Sequence, residues 1–267
     1  MAQLKHLLFR LIVTALFLAV PILGVWTFVN ADQMHVWFPE AVSSFGGEID
    51  HLFSLILWMV GITFVATEVL LVLIILRYSR RDPSRSHYTH GSHVLEMVWT
   101  AVPALLLLFI LFSQMGVWSE VKIAPPHEPS DPYSRENPLM RVYASQFDWR
   151  VRYPDEEGNF EGENVVESAY DIYVPVDTKV FFDLVSRDVL HSFYVPNFRL
   201  KQDAIPGMKV PVWFEAREVG DFDLICAELC GWGHYKMAGR VHVLPQDEYT
   251  AWLEGQREAL YDNGSED

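Results

Sequence analysis

The chain reads as a membrane-anchored protein of two parts: an N-terminal transmembrane helical hairpin, with a possible first helix or signal peptide ahead of it, and then an all-β domain. Three observations predict this. Apolar residues are concentrated in the first 118 of the 267 positions, and mean hydropathy is positive over the whole chain, which is unusual for a water-soluble protein. Three apolar runs cover residues 11–29, 52–76 and 98–118, each near the ~20 residues that span a hydrocarbon core. Beyond them come short β-rich runs separated by turn residues, without helices between them.

The first run follows Lys5 and Arg10, and Val29-Asn30-Ala31 fits a signal-peptidase site. A signal h-region is usually shorter than this run. Residues 1–31 are therefore either a cleaved signal peptide or a retained first helix, and both give the same topology afterwards. Residues 38–50 read as an interfacial connection. The second and third runs form a hairpin within 32–120. Glu68 interrupts the second and Gln114 the third. An ionisable residue inside a span is by default a functional hypothesis; for Glu68 a hydrogen bond to a neighbouring subunit is expected. The loop between these runs carries Arg77, Arg80, Arg81 and Arg85 with almost no acids. The positive-inside rule makes that loop cytoplasmic, so the C-terminal domain lies outside, on the periplasmic side of a bacterial-type plasma membrane. His87, His90 and His93 recur every three residues in the same loop. A metal cluster would need that loop to be helical, and Gly91 with the serines around it favours solvated loop residues.

Residues 121–138 read as a linker, rich in proline and polar residues from 124 onward. The extramembrane domain then occupies 139–267. Strands are expected at 139–145, 146–153, 169–174, 179–185, 210–216, 221–226 and 240–244, which together suggest an antiparallel sandwich or barrel. Residues 248–260 are partly apolar at helical spacing and read as a closing helix. The soluble part, Ser119 to Asp267, holds 14 Lys+Arg and 28 Asp+Glu, a net of −14 out of −15 for the chain. Such a surface repels nucleic acid and attracts basic proteins; acidity for solubility alone is the plainer reading.

The chemistry is concentrated in Cys226-Ala227-Glu228-Leu229-Cys230-Gly231-Trp232-Gly233-His234-Tyr235-Lys236-Met237. Two thiols, an imidazole and a thioether fall within twelve residues. Soft sulfur donors with imidazole favour copper over hard cations. One Cys, His and Met suit a single copper, and a second Cys allows two thiolates to bridge two coppers, which points to an electron-transfer centre. A disulfide in an oxidising compartment and a copper chaperone with a C-x-x-x-C pair are the alternatives; His234 and Met237 argue against both. With copper ligands on a late loop, a cupredoxin-like Greek-key β-barrel is the expected form of the domain. No C-x-x-C-H haem-attachment motif is present.

The spacing resembles the binuclear copper (CuA) loop of cytochrome c oxidase subunit II, C-x-E-x-C-x-x-x-H-x-x-M. The run Asp188-Val189-Leu190-His191-Ser192-Phe193-Tyr194-Val195-Pro196 is similar to the family's D-V-x-H-S-[WF]-x-V-P, and Glu96-Met97-Val98-Trp99-Thr100-Ala101-Val102-Pro103 to its E-x-x-W-T-x-x-P. The resemblance implies copper ligands His191, Cys226, Cys230, His234, Met237 and the backbone carbonyl of Glu228, whose carboxylate would reach a magnesium ion shared with subunit I. It makes Glu96 the mouth of a proton path into that subunit, where an interfacial boundary residue is the plainer reading. Haems would lie only in partner subunits. A haem-copper subunit I, a subunit III, a c-type cytochrome donor and the lipid bilayer would be the partners, in proton-translocating oxygen reduction. Asp188 matches an acidic position near the cytochrome-docking face. The family's Q-W-x-W, whose first tryptophan receives the electron, reads Gln146-Phe147-Asp148-Trp149 here. Phe147, Trp149 or Tyr143 would take that role, or the donor would differ from a mitochondrial-type cytochrome c; a buried aromatic strand is the plainer reading. A CuA-type nitric oxide reductase subunit would share the loop and the anchor. Nitrous oxide reductase needs more length, and a quinol oxidase subunit would lack the copper ligands.

Overall fold

The computed structural model describes residues 2–31, 33–34, 37–78, 88, 90–123, 125–126, 128–162 and 164–264. The chain divides into two compact units, Met1–Trp37 with His51–Gln114, and Phe38–Asp50 with Met115–Asp267.

The first unit is helical. Helices α1 (Ala2–Asn30), α2 (Gly46–Tyr78) and α3 (His93–Trp118) contain spans long and apolar enough to cross a membrane. Several of their hydroxyls bond back to their own helices: Thr63 Oγ1 to Met59 O at 2.9 Å, Thr67 to Phe64 O at 2.8 Å and Ser113 to Phe109 O at 2.8 Å. Such a residue reaches a lipid-facing position with no polar group unsatisfied. Pro21 and Pro103 sit inside α1 and α3, as spanning helices tolerate. Glu68 lies on α2 and is half-buried. His93 begins α3 rather than belonging to a loop, and its Nδ1 lies 3.2 Å from Glu96 Oε2. His87, Arg80, Arg81 and Arg85 lie outside the described residues.

Among its described residues the second unit contains ten strands in two sheets. They are β1 (Met140–Ser145), β2 (Asp148–Tyr153), β3 (Val166–Ala169), β4 (Asp171–Pro175), β5 (Lys179–Ser186), β6 (His191–Val195), β7 (Leu200–Ala204), β8 (Lys209–Glu215), β9 (Gly220–Cys226) and β10 (Ala238–Leu244). The sheet orders are β3-β2-β1-β5-β8 and β4-β10-β9-β6-β7. This is the cupredoxin-like arrangement of two packed sheets. Against the antiparallel arrangement that the short strands suggest, two ladders are parallel: β1 with β5, and β4 with β10. Alternation builds the core. Strand β2 buries Trp149, Val151 and Tyr153 between half-exposed residues, as a pleat with one wet face requires.

The strand expected at 169–174 divides at Tyr170, which has φ 69°. Its N–H donates to Trp149 O in one sheet at 2.8 Å, and its carbonyl accepts from Arg240 N in the other at 2.9 Å. The chain changes sheets at that residue. A Cβ on Gly239 would lie 2.1 Å from Tyr170 O, so the crossing demands glycine there. Strands β3, β6 and β7 were not expected as strands. Their sequences Val-Glu-Ser-Ala, His-Ser-Phe-Tyr-Val and Leu-Lys-Gln-Asp-Ala are short or polar, and pairing rather than propensity makes them strands.

Two segments expected to be connections are fastened to the β unit. Within Phe38–Asp50, Val42 and Phe45 are buried in the core, and Ser43 Oγ donates to Phe198 O at 2.7 Å. Arg199 clasps Asp50 at 2.6 and 2.9 Å. Residues 38–50 therefore strap the sandwich. In the expected linker 121–138, Val121 O accepts Trp213 Nε1 at 3.1 Å, and Asp131 pairs with Lys179 at 3.1 Å. Helix α4 (Gln246–Gly264) closes the unit and stacks Trp252 on Tyr173 at 4.2 Å.

Candidate metal centre

Three backbone pairings bring the distant donors together. Strand β9 ends at Cys226, opposite Phe193 of β6. Ala227 N donates to Ser192 O at 3.0 Å, and Cys226 N to Met237 O at 3.1 Å. His191 opens β6 and so stands beside the end of β9. The loop between β9 and β10 folds back through Gly231 (φ 138°) and a 3-10 turn, His234–Lys236.

The donors converge in a largely buried pocket. Cys226 Sγ lies 3.8 Å from Cys230 Sγ, and the thiols are free. His191 Nδ1 is 4.0 Å from Cys226 Sγ, and His234 Nδ1 is 3.7 Å from Cys230 Sγ. Met237 Sδ lies 3.8 Å from Cys230 Sγ, and Glu228 O lies 3.3 Å from Cys226 Sγ. The ligand atoms of His191, Cys226 and Cys230 all fall within 4.8 Å of one another. Two thiols, two ring nitrogens, a thioether and a carbonyl thus face a common space. The set is soft and suits copper.

The surroundings hold the donors in place. Asp188 Oδ1 meets His191 Nε2 at 2.7 Å, which leaves Nδ1 toward the sulfurs. The other Asp188 oxygen accepts Gln146 N at 2.7 Å, and Gln146 Nε2 donates to Cys230 O at 2.6 Å. One carboxylate and one amide therefore tie β6, the β1–β2 turn and the cysteine loop together, as partners behind a ligand shell do. Gln146 had no role from the sequence alone. Asp188 keeps both bonds while its side chain stays 31% exposed.

Electrostatics separate the two thiols. Burial raises the Cys226 thiol, but the His191 ring and the backbone at Ser192 and Glu228 outweigh it and bring it down to about 6. Burial and the neighbouring Cys226 charge push Cys230 up to about 11. The two sulfurs titrate as a pair, and the first proton leaves readily. Burial disfavours the Asp188 carboxylate, yet His191 and two backbone N–H groups hold it below the usual range.

The aromatic positions separate sharply. Trp149 is 0% exposed, with its ring 6.3 Å from that of His191, and Tyr143 is 7% exposed. Both lie in the core of the β unit rather than on its surface. Phe147 is half-buried, lying against Gly231 and Gly233. Glu96 lies in the first turn of α3.

Comparison with known proteins gives this geometry a family. The model for the periplasmic domain of cytochrome c oxidase subunit II matches residues 143–243, and that for its transmembrane domain matches 31–117. Cytochrome c oxidase subunit 2 of Cereibacter sphaeroides is 30% identical over 85% of this chain and 82% of its own length. The chain belongs to the cytochrome c oxidase subunit II family. The corresponding protein of Thermostichus vulcanus is 30% identical, covering 82% of this chain and 78% of that protein. That of Alkalihalophilus pseudofirmus is 34% identical, and the chain spans 57% of its length. Among solved structures, the periplasmic domain of subunit II of cytochrome oxidase of Bradyrhizobium japonicum is similar, with a TM-score of 0.40 and 27% identity over 45% of this chain and 94% of that one.

Proposed function

We propose that this chain is the electron-receiving subunit of a haem-copper cytochrome c oxidase. The reading rests on one observation above all. Two unbonded thiols 3.8 Å apart are flanked by two imidazoles, a thioether and a backbone carbonyl in a largely buried pocket. His191, Cys226, Cys230, His234, Met237 and the Glu228 carbonyl would hold a copper pair. When bound, that pair supplies a one-electron store whose charge change is shared over two metals. The chain's own part is to keep the donors still. Asp188 fixes the His191 ring, Gln146 fixes the Cys230 carbonyl, and burial excludes water. Electrons would come from a c-type cytochrome and leave for haem in subunit I, where oxygen is reduced and protons are moved; subunit III is a further expected partner. The Glu228 side chain would take part in a magnesium site shared with subunit I, since a carboxylate suits that hard cation.

Three apolar spans and the basic residues between the second and third favour a bacterial plasma-membrane location, with 139–267 on the outer side. Residues 1–31 serve there as either a first helix or a signal peptide. Glu96, near the start of α3, is proposed as the mouth of a proton path. Glu96→Ala should slow proton-coupled turnover while copper reduction stays at the wild-type rate; slowed copper reduction would remove Glu96 from that role.

The test of the whole reading is metal content and electron paramagnetic resonance of the copper-loaded full chain. Two coppers per chain sharing one unpaired electron are expected. A single labile copper would instead identify a membrane-tethered chaperone.

A further inference from the structure

The role proposed above requires a place where a donor's haem comes close to the loop, and the family's aromatic position no longer provides it. Phe147 lies against the loop backbone so closely that a Cβ on Gly233 would sit 2.5 Å from its ring. Trp149 and Tyr143 are buried. Trp232 is different. It stands between Cys230 and His234 in the same loop and is 76% exposed. Its indole meets the Phe147 ring edge-on at 5.2 Å, and the Lys236 ammonium lies 4.6 Å over its face. The indole is thus held outward by a ring on one side and a cation on the other. Leu229 and Tyr235, on the same loop, are 76% and 82% exposed. Large apolar groups displayed together on a loop pinned at both ends mark a contact surface, and tryptophan is prominent among residues that dominate such contacts.

We propose that Trp232 is the residue on which the electron donor's haem edge docks, in the place left by phenylalanine at 147. This rests on the function proposed above. The occupant is a reduced haem protein with a basic face around an exposed haem edge, because the soluble part of this chain carries a net charge of −14 and opposite charge steers encounter. In the transfer the donor's ferrous iron becomes ferric and one electron passes to the copper site. No bond forms or breaks, no proton moves, and Trp232 is not itself oxidised. The indole supplies contact area and closes the gap between haem edge and loop.

The test uses the intact oxidase complex with Trp232→Ala and Trp232→Phe. Binding of ferricytochrome c to copper-depleted complex should weaken about tenfold in Trp232→Ala and less in Trp232→Phe. In copper-loaded complex, stopped-flow reduction by ferrocytochrome c should slow by a similar factor. Reduction by hexaammineruthenium(II), which needs no docking surface, should stay at the wild-type rate with the copper spectrum unchanged. Wild-type binding and wild-type reduction by ferrocytochrome c in Trp232→Ala would overturn the proposal. So would equal slowing with both reductants, since that marks a merely structural residue. Failure of the wild-type complex to take up paired copper would overturn the function proposed above, while the copper-depleted binding arm would still decide the docking role.

Discussion

The helical unit and the β unit solve opposite problems. In the helices apolar side chains face outward: Leu107 is 66% exposed and Phe112 69%, and α3 has no buried residue. In the β unit Trp149, Tyr153, Phe182, Phe193, Phe198 and Phe214 are almost wholly buried. A helix satisfies its backbone internally and can leave its side chains to lipid or to partner helices. A strand satisfies its backbone only through another strand, so the β unit has to bring distant segments together. The precisely placed donors are found in the unit whose structure depends on long-range pairing.

The largest effect that would sharpen this contrast comes from the loop. Cys226→Ser or Cys230→Ser should abolish the two-copper resonance signal, while far-ultraviolet circular dichroism retains the helical content. Persistence of a delocalised signal in either variant would defeat the ligand assignment. Next is packing. Phe193→Ala empties a fully buried position and should destabilise the β unit by about 3–5 kcal/mol. Leu107→Ala, on an exposed face of α3, should leave the unfolding midpoint of the β unit where it was. Equal shifts in thermal scans would show that the two units do not divide the labour this way.

A smaller effect is expected behind the ligands. Asp188→Asn should loosen His191 and lower copper affinity by about 10–100-fold, read by competition with a chelator. Unchanged affinity would reduce the 2.7 Å contact to a packing detail. The smallest effect concerns acid. Burial disfavours the Glu167 carboxylate, but Arg152 and Arg150, at 2.8 and 3.0 Å, outweigh it and hold it below the usual range. A carboxyl lowered in the folded state contributes stability above its unfolded value, about 4.3. That contribution is lost as pH falls through the lower folded value. Copper-free protein should therefore lose β-unit stability below about pH 4, and Glu167→Gln should flatten that loss in denaturant titrations.

Much of this was legible in the residues. Residues 226–237 carry their chemistry by local spacing, and the apolar runs announce themselves by length. The strand expected at 179–185 is seen as Lys179–Ser186, because its apolar and aromatic residues lie in a strand paired on both edges. Less legible were β3 and β7, whose polar residues become strands through their partners. Tyr170 was hidden inside an apparently continuous run, since a one-residue change of sheet has no periodicity to betray it. At the site, the motif surrounding His191 was visible, but the role of Gln146 was not. Its amide reaches Cys230 O across 84 positions, and no local pattern records such a contact.

The sequence alone determined three apolar spans, an acidic extramembrane part and a loop with two thiols, an imidazole and a thioether, because each depends on residues close together in the chain. Only the tertiary structure decided that 38–50 straps the sandwich, that Asp188 is turned toward His191, that Trp149 is buried and that Trp232 stands outside. Those outcomes depend on which strand edges meet. Strand pairing across long stretches of chain is settled by the burial of the whole core rather than by any residue's own preference.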